Sequence, residues 1–313
     1  MQLLYALAEL RTPFLDALLG ALTNCGGELV FMAAAIIVFW CVSKSCGYYM
    51  LTVGFVGTIV NQFLKLVFRI PRPWVKDPDF QIVESARAEA TGYSFPSGHT
   101  QNVFASFGCL GRWTKRTWLR AVCALLIVVT AFSRMYLGVH TPLDVGVSFG
   151  IGLVLVFALY PLFRDIDSHP KRLYLLFGAM AVLGAAYLLF AELWPFPADV
   201  DAANLASGRK NAYTLLGAVL GMTFAYWLDR RYVHFDVRAV WWAQVLKAVL
   251  GLAITIGLRA ALKAPLLALC GGHNVANLIR YALMVIFAAG IWPMTFGWFG
   301  RLGRKKPASG ASD

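Results

Sequence analysis

The feature that most constrains this chain is a succession of long apolar runs. They cover about 28–43, 47–68, 98–112, 118–137, 142–163, 173–193, 212–228, 240–262 and 277–299, most of them close to the roughly 20 residues an α-helix needs to cross a bilayer. A segment in hydrocarbon must satisfy its own backbone groups, and a helix does so within itself. The sequence therefore predicts an all-α fold, a polytopic membrane helical bundle of about nine transmembrane helices. Residues 2–23 carry Glu9, Arg11, Pro13 and Asp16 among apolar positions at helical spacing, the pattern of an N-terminal interfacial helix rather than a span. No basic stretch followed by a small-residue cleavage site opens the chain, so no signal peptide is expected. Hydrophobic residues make up 59% of the chain and charged ones only 14%, against about 25% charged in soluble domains.

The charge is unbalanced, 28 Lys and Arg against 16 Asp and Glu, a net +12. In a soluble protein that excess would suggest nucleic acid; here its distribution gives another reading. Lys44, then Arg112, Lys115, Arg116 and Arg120, then Arg164, Lys171 and Arg172, then Arg230, Arg231 and Arg238, then Arg301, Arg304, Lys305 and Lys306 fall in alternate connections and the tail. The short opposite connections, 194–211 and 263–276, hold only Arg209, Lys210 and Lys263. The positive-inside rule places the first set and the C-terminus in the cytoplasm, in a multi-pass protein of the plasma (inner) membrane with membrane lipids, not nucleic acid, as its surroundings. The six cysteines have no metal-ligand spacing. Cys41, Cys46, Cys109 and Cys123 lie in or beside apolar runs, and Cys25 and Cys270 are expected as free thiols. No metal and no cofactor is expected. Trp194, Trp241, Trp242, Trp292 and Trp298 fall near span ends, where tryptophan anchors.

Two connections on the opposite, outer side stand apart: the long charged stretch 69–97 and the short turn around 138–141. Ionisable residues near a bilayer are costly and mark function by default, and they gather here in three clusters. KLVFRIPRP carries Lys65 and Arg72, with Pro71 and Pro73 ending the helix. YSFPSGHT carries Ser97, Gly98 and His99; SRMYLGVHTPLD carries Ser133, Arg134, His140 and Asp144.

In the third cluster Thr141 suits an N-cap and Pro142 the first helical position, which places Asp144 in the first turn, four residues from His140. A carboxylate on one imidazole nitrogen leaves the other as nucleophile or base; plain helix capping is the competing reading. Ser97 likewise suits an N-cap before an anion-binding helix start, with His99 placed to protonate a leaving oxygen or simply to sit at the water interface. Lys65, Arg72 and Arg134 make a clamp for a multiply charged anion, since guanidinium forks match phosphate oxygens; snorkelling is the alternative. Arg69, Lys76 and Arg87 read as headgroup contacts, and His273 and Asn274 as ordinary turn residues.

Together the segments read K-x6-R-P, P-S-G-H and S-R-x5-H-x3-D. In order and spacing they resemble the three-part signature of the type 2 phosphatidic acid phosphatase and haloperoxidase superfamily, in its integral membrane lipid phosphate phosphatase branch. The resemblance implies a helical core of about six helices, covering residues 1–163 here. His140 resembles the family nucleophile, Asp144 its orienting carboxylate, and His99 the general acid. Lys65, Arg72, Ser97, Gly98 and Arg134 match the phosphate-binding set, and no metal is implied. The expected activity is metal-independent hydrolysis of a lipid phosphate or isoprenoid (pyro)phosphate through a phosphohistidine, at a site facing outward. A lipid phosphotransferase and a non-catalytic lipid or phosphate transporter are the alternatives. Residues 164–300 form an additional four-helix membrane region that the motifs do not reach. Residues 301–313 read as a basic cytoplasmic tail.

Overall fold

A computed structural model describes residues 1–166 and 169–302. It is a helical bundle with no strand among the described residues, and the expected Arg304, Lys305 and Lys306 of the tail lie outside them. In chain order the helices are α1 (Gln2–Glu9), α2 (Pro13–Thr23), α3 (Glu28–Cys41), α4 (Lys44–Phe68), α5 (Pro73–Lys76), α6 (Gly98–Val103), α7 (Cys109–Trp113), α8 (Thr117–Tyr136), α9 (Pro142–Arg164), α10 (Pro170–Leu193), α11 (Ala202–Leu228), α12 (Trp241–Ala261), α13 (Lys263–Leu269), α14 (Val275–Ile286) and α15 (Phe296–Phe299).

Six segments are long and apolar enough to cross a membrane, and seven if the bent pair Pro13–Gly26 and Glu28–Cys41 is taken as one span. The expectation of nine is therefore not met on that measure. The two segments that fall short are physically distinct. The 98–112 run forms α6 and α7 joined by a π-helical turn at Phe104–Gly108, a short helix packed inside the bundle. α11 is 27 residues long but carries Arg209, Lys210, Asn211 and Thr214 in its first half. Those polar residues sit among buried positions such as Gly208, Ala212 and Leu216, so protein rather than lipid surrounds much of it.

The N-terminal expectation is also revised. Residues 2–23 do not form one interfacial helix: Thr12 caps a new helix at Pro13, and α2 runs on towards α3 across a 49° bend. Cys25 and Cys270 are free thiols, as expected. Trp292, expected at an interface, is instead buried, its ring 6.2 Å from that of Trp40.

α4 forms the spine. Nearly every residue from Cys46 to Phe55 is buried, and one apolar core runs from Phe31 through α4 and α10 to Phe299, so the two halves of the chain share their interior. α11 meets α14 through small residues: a Cβ on Gly217 would stand 2.2 Å from the Leu278 carbonyl oxygen, and one on Gly221 2.6 Å from that of Ala282. This is the small-residue spacing that lets membrane helices approach closely.

Charges fix the two ends of α4. At its start the Lys44 ammonium pairs with the buried Asp229 carboxylate at 2.8 Å, tying two of the basic connections together. Near its other end stands Lys65, about 31 Å away at 1.5 Å per residue.

Candidate active site

The three motif segments meet at the Lys65 end of α4 because main-chain hydrogen bonds stitch them together. The Ser94 amide donates to the Ile70 carbonyl at 2.8 Å, and the Ser97 amide to the Asp144 carbonyl at 3.1 Å. The long connection is thus strapped onto both the end of α4 and the start of α9. Between α8 and α9 the chain turns through Gly138 at φ +82°, a conformation glycine adopts without penalty. The amides of Val139 and His140 return to the Arg134 carbonyl, holding His140 beneath the end of α8.

The expected capping is present in full. The Thr141 hydroxyl accepts from the Asp144 amide, and the Asp144 carboxylate accepts from the Thr141 amide at 2.7 Å, a reciprocal capping box with Pro142 in the first turn. Ser97 caps the helix that begins at Gly98, its hydroxyl accepting from the Thr100 amide and hydroxyl. Capping and site chemistry are therefore not alternatives for Asp144. Its Oδ2 also takes the Ser94 hydroxyl at 2.6 Å and lies 3.5 Å from His140 Nδ1.

The other side of His140 faces a cation. Nε2 is 2.9 Å from an Arg72 guanidinium nitrogen. Guanidinium has donors and no acceptor, so Nε2 is the unprotonated nitrogen and the imidazole proton sits on Nδ1, towards Asp144. Burial, then Arg72, Arg134, Lys65 and His99 in turn, hold this imidazole well below its ordinary pKa. It is therefore neutral at pH 7, with its lone pair on the cation side.

Arg72 is itself fixed by carbonyls: Val139 at 3.0 Å, Gly92 at 3.0 Å and Thr91 at 2.7 Å. Lys65 donates to the Tyr93 carbonyl. Arg134 donates to the Thr23 hydroxyl at 2.9 Å, while its Nε and second terminal nitrogen have no partner among the described residues. Lys65, Arg72 and Arg134 are each at most 6% exposed, and the one carboxylate buried among them is Asp144. Buried charge of one sign is expensive unless paired, and this excess suits a multiply charged anion.

Lys65, Arg72, Gly98, His99 and His140 line a single cavity of about 520 Å³. Gly98 faces open space where a side chain would stand. Ser97 is fully buried behind it as the cap. Arg134 lines the neighbouring cavity of about 490 Å³ instead; Asn24 and Glu89 border both. The chamber extends away from the clamp to Leu29 and Val30 of α3, which are largely exposed on the bundle's flank, and to Asn211, Thr214 and Leu215 of α11.

Three residues of this site escaped the sequence reading. Glu89 accepts from or donates to His99 Nε2 across 2.9 Å according to protonation. Ser94 holds Asp144, and Thr23 holds Arg134. The charge density of the 69–97 stretch was the available signal for Glu89; nothing local distinguishes Ser94 or Thr23. Arg87 pairs with Glu84 at 2.7 Å outside the chamber, and His273 packs edge-on to Tyr213.

Comparison with known proteins extends this picture. Residues 44–167 match the family model described as the PAP2 superfamily, and residues 213–305 match the one described as PAP2 superfamily phosphatase, transmembrane extension. An undecaprenyl-diphosphatase of Bacillus subtilis is 32% identical over 125 residues, 39% of this chain and 61% of that protein. Phosphatidylglycerophosphatase B of the same bacterium is 27% identical over 180 residues, 52% of this chain and 80% of its own. A dihydrosphingosine 1-phosphate phosphatase of Saccharomyces cerevisiae is 21% identical over 231 residues, 71% of this chain and 55% of its own. The chain thus spans less than two thirds of two of these three relatives. No solved structure matches it. All three motifs, from Lys65 to Asp144, lie inside the first matched stretch, and the second begins on the helix that walls their cavity: the chain carries a PAP2 superfamily domain and the PAP2 transmembrane extension.

Proposed function

We propose that this membrane protein is a metal-independent phosphatase that hydrolyses a lipid phosphate or isoprenoid diphosphate through a phosphohistidine, at a site open to the extracytoplasmic side. The observation that carries the reading is His140 held between a carboxylate on Nδ1 and a guanidinium on Nε2, at the wall of a chamber that also presents Lys65 and His99. The relatives' names point to the same chemistry on three lipid classes.

The reaction follows from the geometry. The phosphate oxygens take the donors of Lys65 and Arg72 and the Gly98 amide, with the Arg134 charge acting from the neighbouring cavity, and the guanidinium of Arg72 moves from Nε2 to an oxygen. The freed lone pair attacks phosphorus, and the Nε2–P bond forms as the bond to the leaving oxygen breaks. Burial and the charges of Arg134, Arg72 and Lys65 hold His99 well below its ordinary pKa; the phosphate's negative charge offsets those cations, so His99 takes up a proton as the substrate binds and gives it to the leaving oxygen. The imidazolium character of the intermediate is stabilised through Nδ1–H by Asp144. Water, deprotonated by His99, then cleaves the Nε2–P bond and releases phosphate. Fixed cations supply the stabilisation of the transition state. Among the described residues no group of three His, Cys, Asp or Glu is disposed to hold a metal.

Two features support the orientation. Lys44 and the connection after Asp229, which carries Arg230, Arg231 and Arg238, lie at the end of α4 opposite the site, and the positive-inside rule puts them in the cytoplasm. The exposed Leu29 and Val30 at the chamber's edge let a lipid enter sideways from the bilayer with its phosphate at the clamp.

The test is phosphate release by purified protein from a panel of lipid phosphates in excess chelator. The wild type releases phosphate undiminished by chelator. His140→Ala loses at least about 10³-fold, as removal of a covalent nucleophile does. Retained turnover in that variant overturns the mechanism.

A further inference from the structure

Behind the clamp the chamber wall changes character. Asn61 lies one turn from Lys65 on α4, about 6 Å further along the axis into the bundle. It is 2% exposed, lines the chamber, and neither its amide nitrogen nor its oxygen has a partner among the described residues. Gln101 of α6, 1% exposed, also lines it, with both amide atoms unpartnered among the described residues. Nine tenths or more of buried polar groups in folded proteins are hydrogen-bonded, so two whole carboxamides left open in one cavity mark a place where a ligand's groups belong. Gly57 leaves room for Gln101 as it is placed: a Cβ there would lie 2.3 Å from its Nε2. Gln62 and Asn102 continue the wall, and α11 adds Asn211 and Thr214, three residues apart and so on one helix face.

We infer that these residues form a polar subsite for the alcohol part of the substrate, selecting phosphates whose first few atoms beyond the ester oxygen carry hydrogen-bonding groups over phosphates of plain hydrocarbon alcohols. The inference rests on the phosphatase reading and narrows its substrate class to hydroxylated, amino or ester-bearing alcohols, of the sphingoid or glycerol kind. A carboxamide donates and accepts without charge, which suits a hydroxyl, amine or carbonyl and brings no positive charge to offset a second phosphate. An isoprenyl chain threaded along the same wall would leave the amides desolvated and unpaired, the situation by which a hydrogen-bonding site rejects an analogue lacking the group. It also gives the transmembrane extension a role at the site, since α11 closes the chamber from its side.

The experiment compares kcat/KM for sphingosine 1-phosphate and for an isoprenyl monophosphate of matched length, with full-length protein in lipid nanodiscs. The wild type is expected to favour the amino-alcohol phosphate by at least about tenfold. Thr214→Val, which keeps shape, and Asn211→Leu are each expected to lower that ratio by about threefold to tenfold. A turnover-free measurement runs beside it: in the His140→Ala background, sphingosine 1-phosphate raises the unfolding temperature more than the isoprenyl phosphate does, and adding Thr214→Val removes the difference. Equal use and equal binding of the two lipids, with turnover intact, overturns the subsite and leaves the phosphatase standing. Preferential binding with no turnover of either lipid supports the subsite and overturns the phosphatase.

Discussion

His140 Nε2 is kept unprotonated by its neighbour, because the Arg72 guanidinium 2.9 Å away can only donate. Burial and the surrounding cations act in the same direction, holding the imidazole well below its ordinary pKa near 6.5. The sign has two consequences. The nucleophile is in its competent neutral form at pH 7 and stays so as the pH falls through 6.5. The unfolded chain takes up the proton first, so this residue's contribution to stability is full above 6.5 and is lost as the pH falls towards its folded-state value. Nitrogen NMR of histidine-labelled protein is expected to show the Nδ1–H tautomer and a titration midpoint below 6.5; a midpoint at or above 6.5 refutes the assignment. At this scale much of the site is legible from sequence, since each motif keeps its residues within twelve positions. The partners that tune them are not: Ser94 reaches Asp144 across 50 residues and Thr23 reaches Arg134 across 111, and such contacts are set by how helices pack.

Among the elements, the caps were readable because Thr141, Pro142 and Asp144, or Ser97 and Gly98, are adjacent in the chain and cap by local geometry. The bend that joins α2 to α3 was not. Glu9, Arg11, Pro13 and Asp16 suggest a surface helix, but Arg11 and Asp16 are used inside the fold, Arg11 donating to the Gln81 and Tyr136 carbonyls and Asp16 accepting from the Tyr136 hydroxyl. α11 was misjudged for a related reason. Asn211 and Thr214 face the chamber, Arg209 pairs with Glu192, Gly208 faces Leu66 of α4, and Gly217 and Gly221 face α14, so composition alone understates how enclosed it is. The α11–α14 contact is backbone against backbone, and the neighbouring carbonyls at Leu278 and Ala282 cannot yield as a flexible side chain would. Gly217→Leu is therefore expected to destabilise the protein by about 1–3 kcal/mol or more, the usual cost of overpacking. Gly257→Leu, where a Cβ has open space, is expected to change stability by less than about 0.5 kcal/mol. Thermal unfolding in one detergent compares the two; equal effects would refute the close-packing account.

At the scale of the whole molecule, the separation of charge along α4 ties chemistry to topology. Lys44 and Lys65 stand about 31 Å apart, close to the roughly 30 Å of a bilayer's hydrocarbon core. The first is neutralised by Asp229 among the basic connections; the second belongs to the anion clamp. One end of the bundle thus carries positive charge that sets orientation, and the other carries positive charge buried for binding. If the basic end is cytoplasmic, Pro197, between α10 and α11 at the clamp end, lies outside and Arg231 lies inside. With the six native cysteines replaced, Pro197→Cys is expected to react with a membrane-impermeant maleimide on intact cells. Arg231→Cys is expected to react only after permeabilisation. The reverse pattern would put the clamp in the cytoplasm, where its lipid would have to arrive from the inner leaflet, and the extracytoplasmic assignment would fall while the chemistry at His140 stood.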